Sequence, residues 1–228
     1  MRKYIFGGIV IALAAITMCL GVQFKAGIPD CGIANLSNFC DLEGKPIKLS
    51  YAYGADVEEE LTEDSFYGGK YDGIDEAEII AVVSPTGNLI QTDGSIGQEF
   101  TVHEILKGEN LISENQKAYV YRNSGICAKD GRIEYENTEN LMIPGCDYVI
   151  FMDASPLNEY QAQVYILKTP YFGYVKISDE VTPTLKGTYT EYELWDLKNC
   201  EFFSTSEVVT NLLNKMRKEI LEEFIGDT

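Results

Sequence analysis

Phe100-Thr101-Val102-His103-Glu104-Ile105-Leu106-Lys107-Gly108 is the stretch on which the fold turns. Phe100 and Val102 alternate with Thr101 and His103, the period of a strand with one buried face, and then the phase slips so that Ile105 and Leu106 stand side by side. Such a slip predicts a β-bulge near Glu104, and Gly108 predicts the turn that ends the strand. Outward from it, strand-sized apolar pieces lie at 77–83, 118–122, 132–135, 148–152, 163–168, 171–177 and 189–195. Pro85-Thr86-Gly87, Thr92-Asp93-Gly94 and Lys129-Asp130-Gly131 read as the separators between them. In the piece at 148–152, Tyr148, Ile150 and Met152 take one face while Val149 and Phe151 take the other. Short strands with no helix between them predict a mainly β, antiparallel barrel or sandwich.

The end of the chain has a different period. Ser204-Thr205-Ser206-Glu207 fits a capping box, with Phe203 and Val208 placed as a hydrophobic staple. Beyond it Val208, Leu212, Met216, Ile220 and Phe224 recur every four residues, flanked by Val209, Leu213 and Leu221. Lys215 and Lys218 are spaced to pair with Glu219 and Glu222, and Gly226 is a stop. An amphipathic helix over 204–225 is predicted, packed on the β-core through its apolar stripe.

At the other end, Met1-Arg2-Lys3 precedes an uncharged run from residue 4 to 22 that Gln23 and Lys25 close. Spanning hydrocarbon takes about 20 apolar residues and a cleaved leader about 7–15, so residues 1–25 are expected to be a membrane anchor or a signal peptide. Arg2 and Lys3 place the start on the cytoplasmic side and send the remainder across, giving an extracytoplasmic protein held by an N-terminal transmembrane helix, or secreted after cleavage. Residues 26–73, rich in Gly, Asp, Glu and Asn, read as an irregular lead-in or stalk, and 74–228 as the folded domain.

The 36 acidic against 18 basic residues, a formal net charge of −18, argue against nucleic acid as a partner. The same charge suits cations or basic partners, and equally a solvated surface. Five cysteines follow the leader. Cys31 with Cys40 would close a short loop and Cys127 with Cys146 would clamp neighbouring strands, leaving Cys200 over; buried reduced thiols are the alternative. No C-x₂-C spacing appears, and the chain has a single histidine, so the usual Cys/His zinc sets are not met.

The order of elements from Ala77-Glu78-Ile79-Ile80-Ala81-Val82-Val83, through the Val102-x-x-Ile105-Leu106-Lys107-Gly108 strand, to Pro144-Gly145-Cys146-Asp147-Tyr148-Val149-Ile150-Phe151 resembles the netrin-module and metalloprotease-inhibitor-like domains of bacterial exported proteins. The resemblance covers about a third of the chain. It implies an OB-like five-stranded barrel carrying a terminal helix, and a binding role rather than catalysis. In the inhibitors a free N-terminal cysteine chelates the target zinc; Cys31 stands several residues beyond the leader, so protease inhibition does not carry over.

His103 and Glu104 are strand neighbours and point to opposite faces unless a bulge turns one of them, so no acid–base pair is read there. Asp72, Asp75, Glu76 and Glu78 cluster and would hold Ca²⁺ through oxygen ligands, but without the D-x-D-x-D-G order of an EF-hand loop they read as a solvated turn, and no cofactor is expected. Aromatics concentrate in the second half, and Tyr171-Phe172-Gly173-Tyr174 offers the best stacking surface for a protein or glycan, with Tyr171, Phe172 and Tyr174 as the candidate binding residues. A non-enzymatic binding module is the leading reading. A carboxylate-dependent hydrolase of cell-surface polymers and a structural part of an envelope assembly are the alternatives.

Overall fold

The structure is a computed structural model that describes residues 37–43, 46–49, 74, 76–92, 95–121, 126–129, 132–135, 139–155, 163–168, 173–186 and 192–226. Ten strands and one long helix are described: β1 (Pro46–Leu49), β2 (Ile79–Thr92), β3 (Ser95–Lys107), β4 (Lys117–Tyr121), β5 (Ile126–Lys129), β6 (Arg132–Tyr135), β7 (Tyr148–Ala154), β8 (Val164–Leu167), β9 (Tyr174–Lys176), β10 (Tyr192–Glu193) and α1 (Glu207–Phe224). Short 3-10 turns at Phe39–Leu42 and Leu194–Leu197 complete the set.

The larger sheet runs β2-β3-β4-β8-β7, and β7 pairs back onto β2, which closes a five-stranded barrel. β4 and β8 are parallel, and the other barrel neighbours are antiparallel. Because β7 meets β8 before β8 reaches β4, the chain crosses the barrel once between β4 and β7 in Greek-key fashion. β9 continues the line of β8 along β7, and Phe151 joins the two: its C=O accepts from Lys168 N–H at 3.0 Å and its N–H donates to Gly173 C=O at 2.9 Å.

The faces follow the period of two. Ile79, Ala81, Val83, Phe100, Val102, Ala118, Val120, Tyr148, Ile150, Met152, Tyr165 and Tyr174 fill the barrel. Ile80, Val149, Phe151 and Val175 point outward and meet Val209, Leu213, Met216 and Ile220 of α1. Truncating any one of these four helix residues to alanine removes buried hydrocarbon that typically contributes about 2–5 kcal/mol for the larger side chains. Gln98, buried at the barrel wall, completes the pattern by standing in for a strand partner: its Nε2 donates to Met142 C=O at 2.8 Å and its Oε1 accepts Met142 N–H at 2.9 Å.

The free edge of β9 is satisfied by side chains. Gly173 N–H donates to buried Glu139 at 2.9 Å, Lys176 N–H donates to Glu201 at 2.7 Å, and Arg217 of α1 donates to Lys176 C=O at 2.8 Å. Arg217 Nε lies 2.7 Å from Glu201 Oε2, an ion pair by distance whose N–H is not aligned as a hydrogen bond. Both side chains are under a tenth exposed, so the pair locks α1 to the barrel and covers an edge that would otherwise invite pairing.

Several expectations change. Pro85-Thr86-Gly87 is no separator: β2 runs through it, with Gly87 at φ +91° inside a register shift between Pro85↔Phe100 and Leu89↔Gln98. The bulge near Glu104 is present, as β3 carries extra residues at Leu106 and at His103. Residues 46–49, read as part of the irregular lead-in, form β1 of a second, four-stranded sheet ordered β10-β1-β6-β5. The helix is capped by Ser206, whose Oγ accepts from Val209 N–H, because Ser204 is held in a turn onto Ser206. Val208 is therefore 62% exposed, and the buried stripe runs through 209, 213, 216 and 220 instead.

No helix among the described residues is long and apolar enough to cross a membrane, and the leader at 1–25 lies outside them. Cys40, Cys146 and Cys200 are free thiols, so neither the Cys31–Cys40 nor the Cys127–Cys146 bridge is closed here; Cys31 and the side chain of Cys127 are outside the described set.

Candidate binding surface

α1 covers the outer face of the barrel only over the first part of β2. Along that strand the outward residues change from Ile80, which touches the helix, through Val82 to Ser84, Thr86 and Asn88, a polar stretch that ends at the exposed Ile90. Two cross-strand groups sit on it.

The first joins three strands. Val83 pairs with Tyr148, which sets Asp147 beside Ser84, and the bulge in β3 turns His103 outward onto the same row. Ser84 Oγ lies 2.5 Å from His103 Nε2 and donates to Asp147 Oδ1. A serine hydroxyl has one proton, so with Asp147 as its acceptor the bond to His103 must run from imidazole N–H to Oγ. That is the reverse of nucleophile activation, in which histidine takes the serine proton and the carboxylate holds the far ring nitrogen. Asp147 here stands 3.9 Å from Nε2, the same nitrogen that meets serine. The trio ties the bulge to the entry of β7 and leaves His103 and Asp147 about half exposed.

The second group spans β3 and β4. On β4, Ala118 and Val120 point in while Lys117, Tyr119 and Tyr121 point out, and the register sets Tyr119 opposite Glu99. Glu99 Oε2 accepts from Thr86 Oγ1 at 2.6 Å and from Asn88 Nδ2 at 2.7 Å. Partial burial pushes the Glu99 carboxyl up, but the bonds from Thr86, Asn88 and Tyr119 and the charge of Lys117 outweigh it, and the group titrates below its ordinary value. Burial, then the facing Glu99 charge, raises the Tyr119 hydroxyl. Next along, Gly97 has no side chain, and a Cβ built there would fall 2.5, 2.6 and 3.0 Å from Cζ, Cε1 and Cε2 of Tyr121. The Tyr121 ring therefore rests on the glycine backbone, and burial raises its hydroxyl.

Of the predicted aromatic cluster, Tyr174 is among the described residues. Tyr174 is 2% exposed inside the barrel, edge-on to Tyr148 at 5.6 Å, which corrects its assignment to a binding surface; Tyr171 and Phe172 lie outside the described residues. Of the acidic cluster, Glu78 is engaged at the barrel rim, accepting Ala154 N–H at 3.0 Å while its own N–H donates to Asp153 at 3.0 Å, and Asp153 pairs with Lys168. Glu76 is exposed, and Asp72 and Asp75 are not described. Aromatic density in the sequence points to the C-terminal half and away from Tyr119, Tyr121 and Glu99. The alternation within Lys117-Ala118-Tyr119-Val120-Tyr121 already placed both tyrosines on the polar face.

Elsewhere, a shallow groove of about 400 Å³ runs between α1 and the 178–181 segment, lined by Asp179, Val181, Asn214, Lys218 and Leu221 among others. The chain matches no protein-family model and no curated protein.

Proposed function

We propose that this is an extracytoplasmic, non-enzymatic binding module on an OB-like, netrin-module-type barrel, anchored by its N-terminal segment or secreted after that segment is removed. The observation that carries the reading is the strand order β2-β3-β4-β8-β7, closed by β7 on β2 and with one parallel pair, β4 with β8, the Greek-key path of a five-stranded OB-type barrel. Such barrels bind on the outer face of their second and third strands, which here are β3 and β4. That face carries Glu99, Tyr119 and Tyr121 and is left clear by α1.

Two further observations favour binding over the hydrolase alternative. The proton order in the Ser84–His103–Asp147 row makes His103 a donor to serine and not the base of a hydrolase triad. The buried acids Glu139 and Glu201 accept from backbone N–H groups of the β9 segment, which is structural work.

The test is to incubate the purified chain with peptide and glycan mixtures and follow products by mass spectrometry. The proposal expects saturable binding without turnover. Turnover abolished by a single carboxylate substitution would overturn it. The address is tested by the intact mass of the mature protein and by protease accessibility in whole cells, where a chain shielded until lysis would contradict an extracytoplasmic domain.

A further inference from the structure

We propose that the β3–β4 face takes a cationic side chain from a Lys/Arg-rich peptide segment, with the Tyr121 ring as its stacking surface and Glu99 as its counter-charge. This rests on the binding-module reading and names its partner class.

Three observations combine. The ideal Cβ of Gly97 meets three atoms of the Tyr121 ring at nearly equal distances, 2.5 to 3.0 Å, so one ring face lies on the sheet and the opposite face is turned away from it. A tyrosine face presented in this way attracts ammonium and guanidinium groups through its quadrupole. Tyr119 stands two residues away on the same side, about 7 Å along the strand, which extends the aromatic surface by one side chain.

Next to these rings is a carboxylate that is both fixed and ionised. Thr86 and Asn88 hold Glu99 from one side, and against the upward effect of burial these bonds, the Lys117 charge and the Tyr119 hydroxyl keep its titration below the ordinary range. Among the described residues, Lys117, across from Thr101, is the cation whose charge acts on Glu99, and it stands at the opposite end of β4 from Tyr121. A preformed carboxylate beside an aromatic face matches a cation that needs both.

The choice of a basic peptide over a neutral saccharide comes from charge. With 36 acidic and 18 basic residues, the field of the whole chain raises the local concentration of cationic segments and does nothing for a neutral sugar.

The test uses the full chain and a fluorescein-labelled hexa-arginine peptide, read by anisotropy at low and at moderate salt, with chitohexaose and hexa-glutamate as the comparison ligands. Wild-type protein should bind hexa-arginine in a salt-dependent manner. Tyr121→Ala and Glu99→Gln should each weaken binding about fivefold, whereas Tyr121→Phe, which keeps the ring, should change it less than about twofold. Glu99→Gln keeps the shape of the site, so it decides the matter should Tyr121→Ala unfold. Hexa-arginine binding unchanged in both Tyr121→Ala and Glu99→Gln would reduce the effect to diffuse charge and overturn the proposal. No binding by wild type, or Tyr121-dependent binding of chitohexaose alone, would also overturn it. The saccharide result would leave the binding-module reading intact, while turnover of either ligand would remove that reading as well.

Discussion

Gly97 and Tyr121 face each other across β3 and β4 so closely that a Cβ on residue 97 would lie 2.5 Å from the tyrosine ring. The ring is the outer end of a side chain at the barrel surface, so it can swing aside. Gly97→Ala should therefore cost little stability, on the order of 1 kcal/mol or less in chemical denaturation, while hexa-arginine affinity falls as it does for Tyr121→Ala. A Gly97→Ala protein with wild-type affinity would mean that ring placement is irrelevant to binding.

Gly108 gives the opposite balance. It sits at φ +90°, and a Cβ there would meet the backbone C=O of Glu78 at 2.6 Å, a neighbour that cannot swing away. Its own C=O accepts from Leu111 N–H, closing the turn after β3. Gly108→Ala should lose about 2 kcal/mol or more in denaturant titration, with hexa-arginine affinity unchanged in the molecules that remain folded. A loss no larger than that of Gly97→Ala would contradict the contrast.

Glu201 makes stability depend on pH. Burial pushes its carboxyl up to about 7, and the Arg217 charge and the Lys176 N–H offset only part of that. An unfolded glutamate titrates near about 4.3, so between these values the folded chain holds a proton that the unfolded chain has released. The contribution of this proton is fully present on the acid side and is lost as pH rises to about 7. Glu201→Gln removes the dependence, so its Tm should gain on wild type as pH goes from about 4.5 to 7 and then hold level. Wild type gaining on the variant over that range would mean that the ion pair, and not burial, governs the group.

The thiols should separate by accessibility. Cys40 is exposed, whereas Cys200 is buried and burial raises its thiol to about 11, which keeps it protonated at neutral pH. A short iodoacetamide pulse on the native protein, read by peptide mass, should label Cys40 readily and Cys200 only after denaturant is added. Finding Cys40 or Cys146 in a disulfide in the mature protein would show that oxidation reaches a pairing absent from this structure.

Strand existence was legible because the period of two survives in Tyr148 to Met152 and in the stretch from Phe100, where even the phase slip marked the bulge. Closure was not. Nothing local in Tyr119 or Val164 says that their strands run parallel, since that pairing joins residues far apart in sequence and is fixed by the barrel as a whole. Pro85 and Gly87 misled because a turn and a wide bulge call for the same residues. The site was half legible. The outward placement of Tyr119 and Tyr121 follows from alternation, but the contact of Tyr121 with Gly97 and the bonds from Thr86 and Asn88 to Glu99 exist only once β2, β3 and β4 are in register.

The most direct test of the binding face is hydrogen–deuterium exchange of the full chain with and without hexa-arginine, at a concentration that saturates anisotropy. The proposed site predicts added protection in peptides covering Ser95–Lys107 and Lys117–Tyr121, and none in Glu207–Phe224. Protection confined to α1 and the 178–181 segment would contradict it and place the peptide in the groove beside the helix.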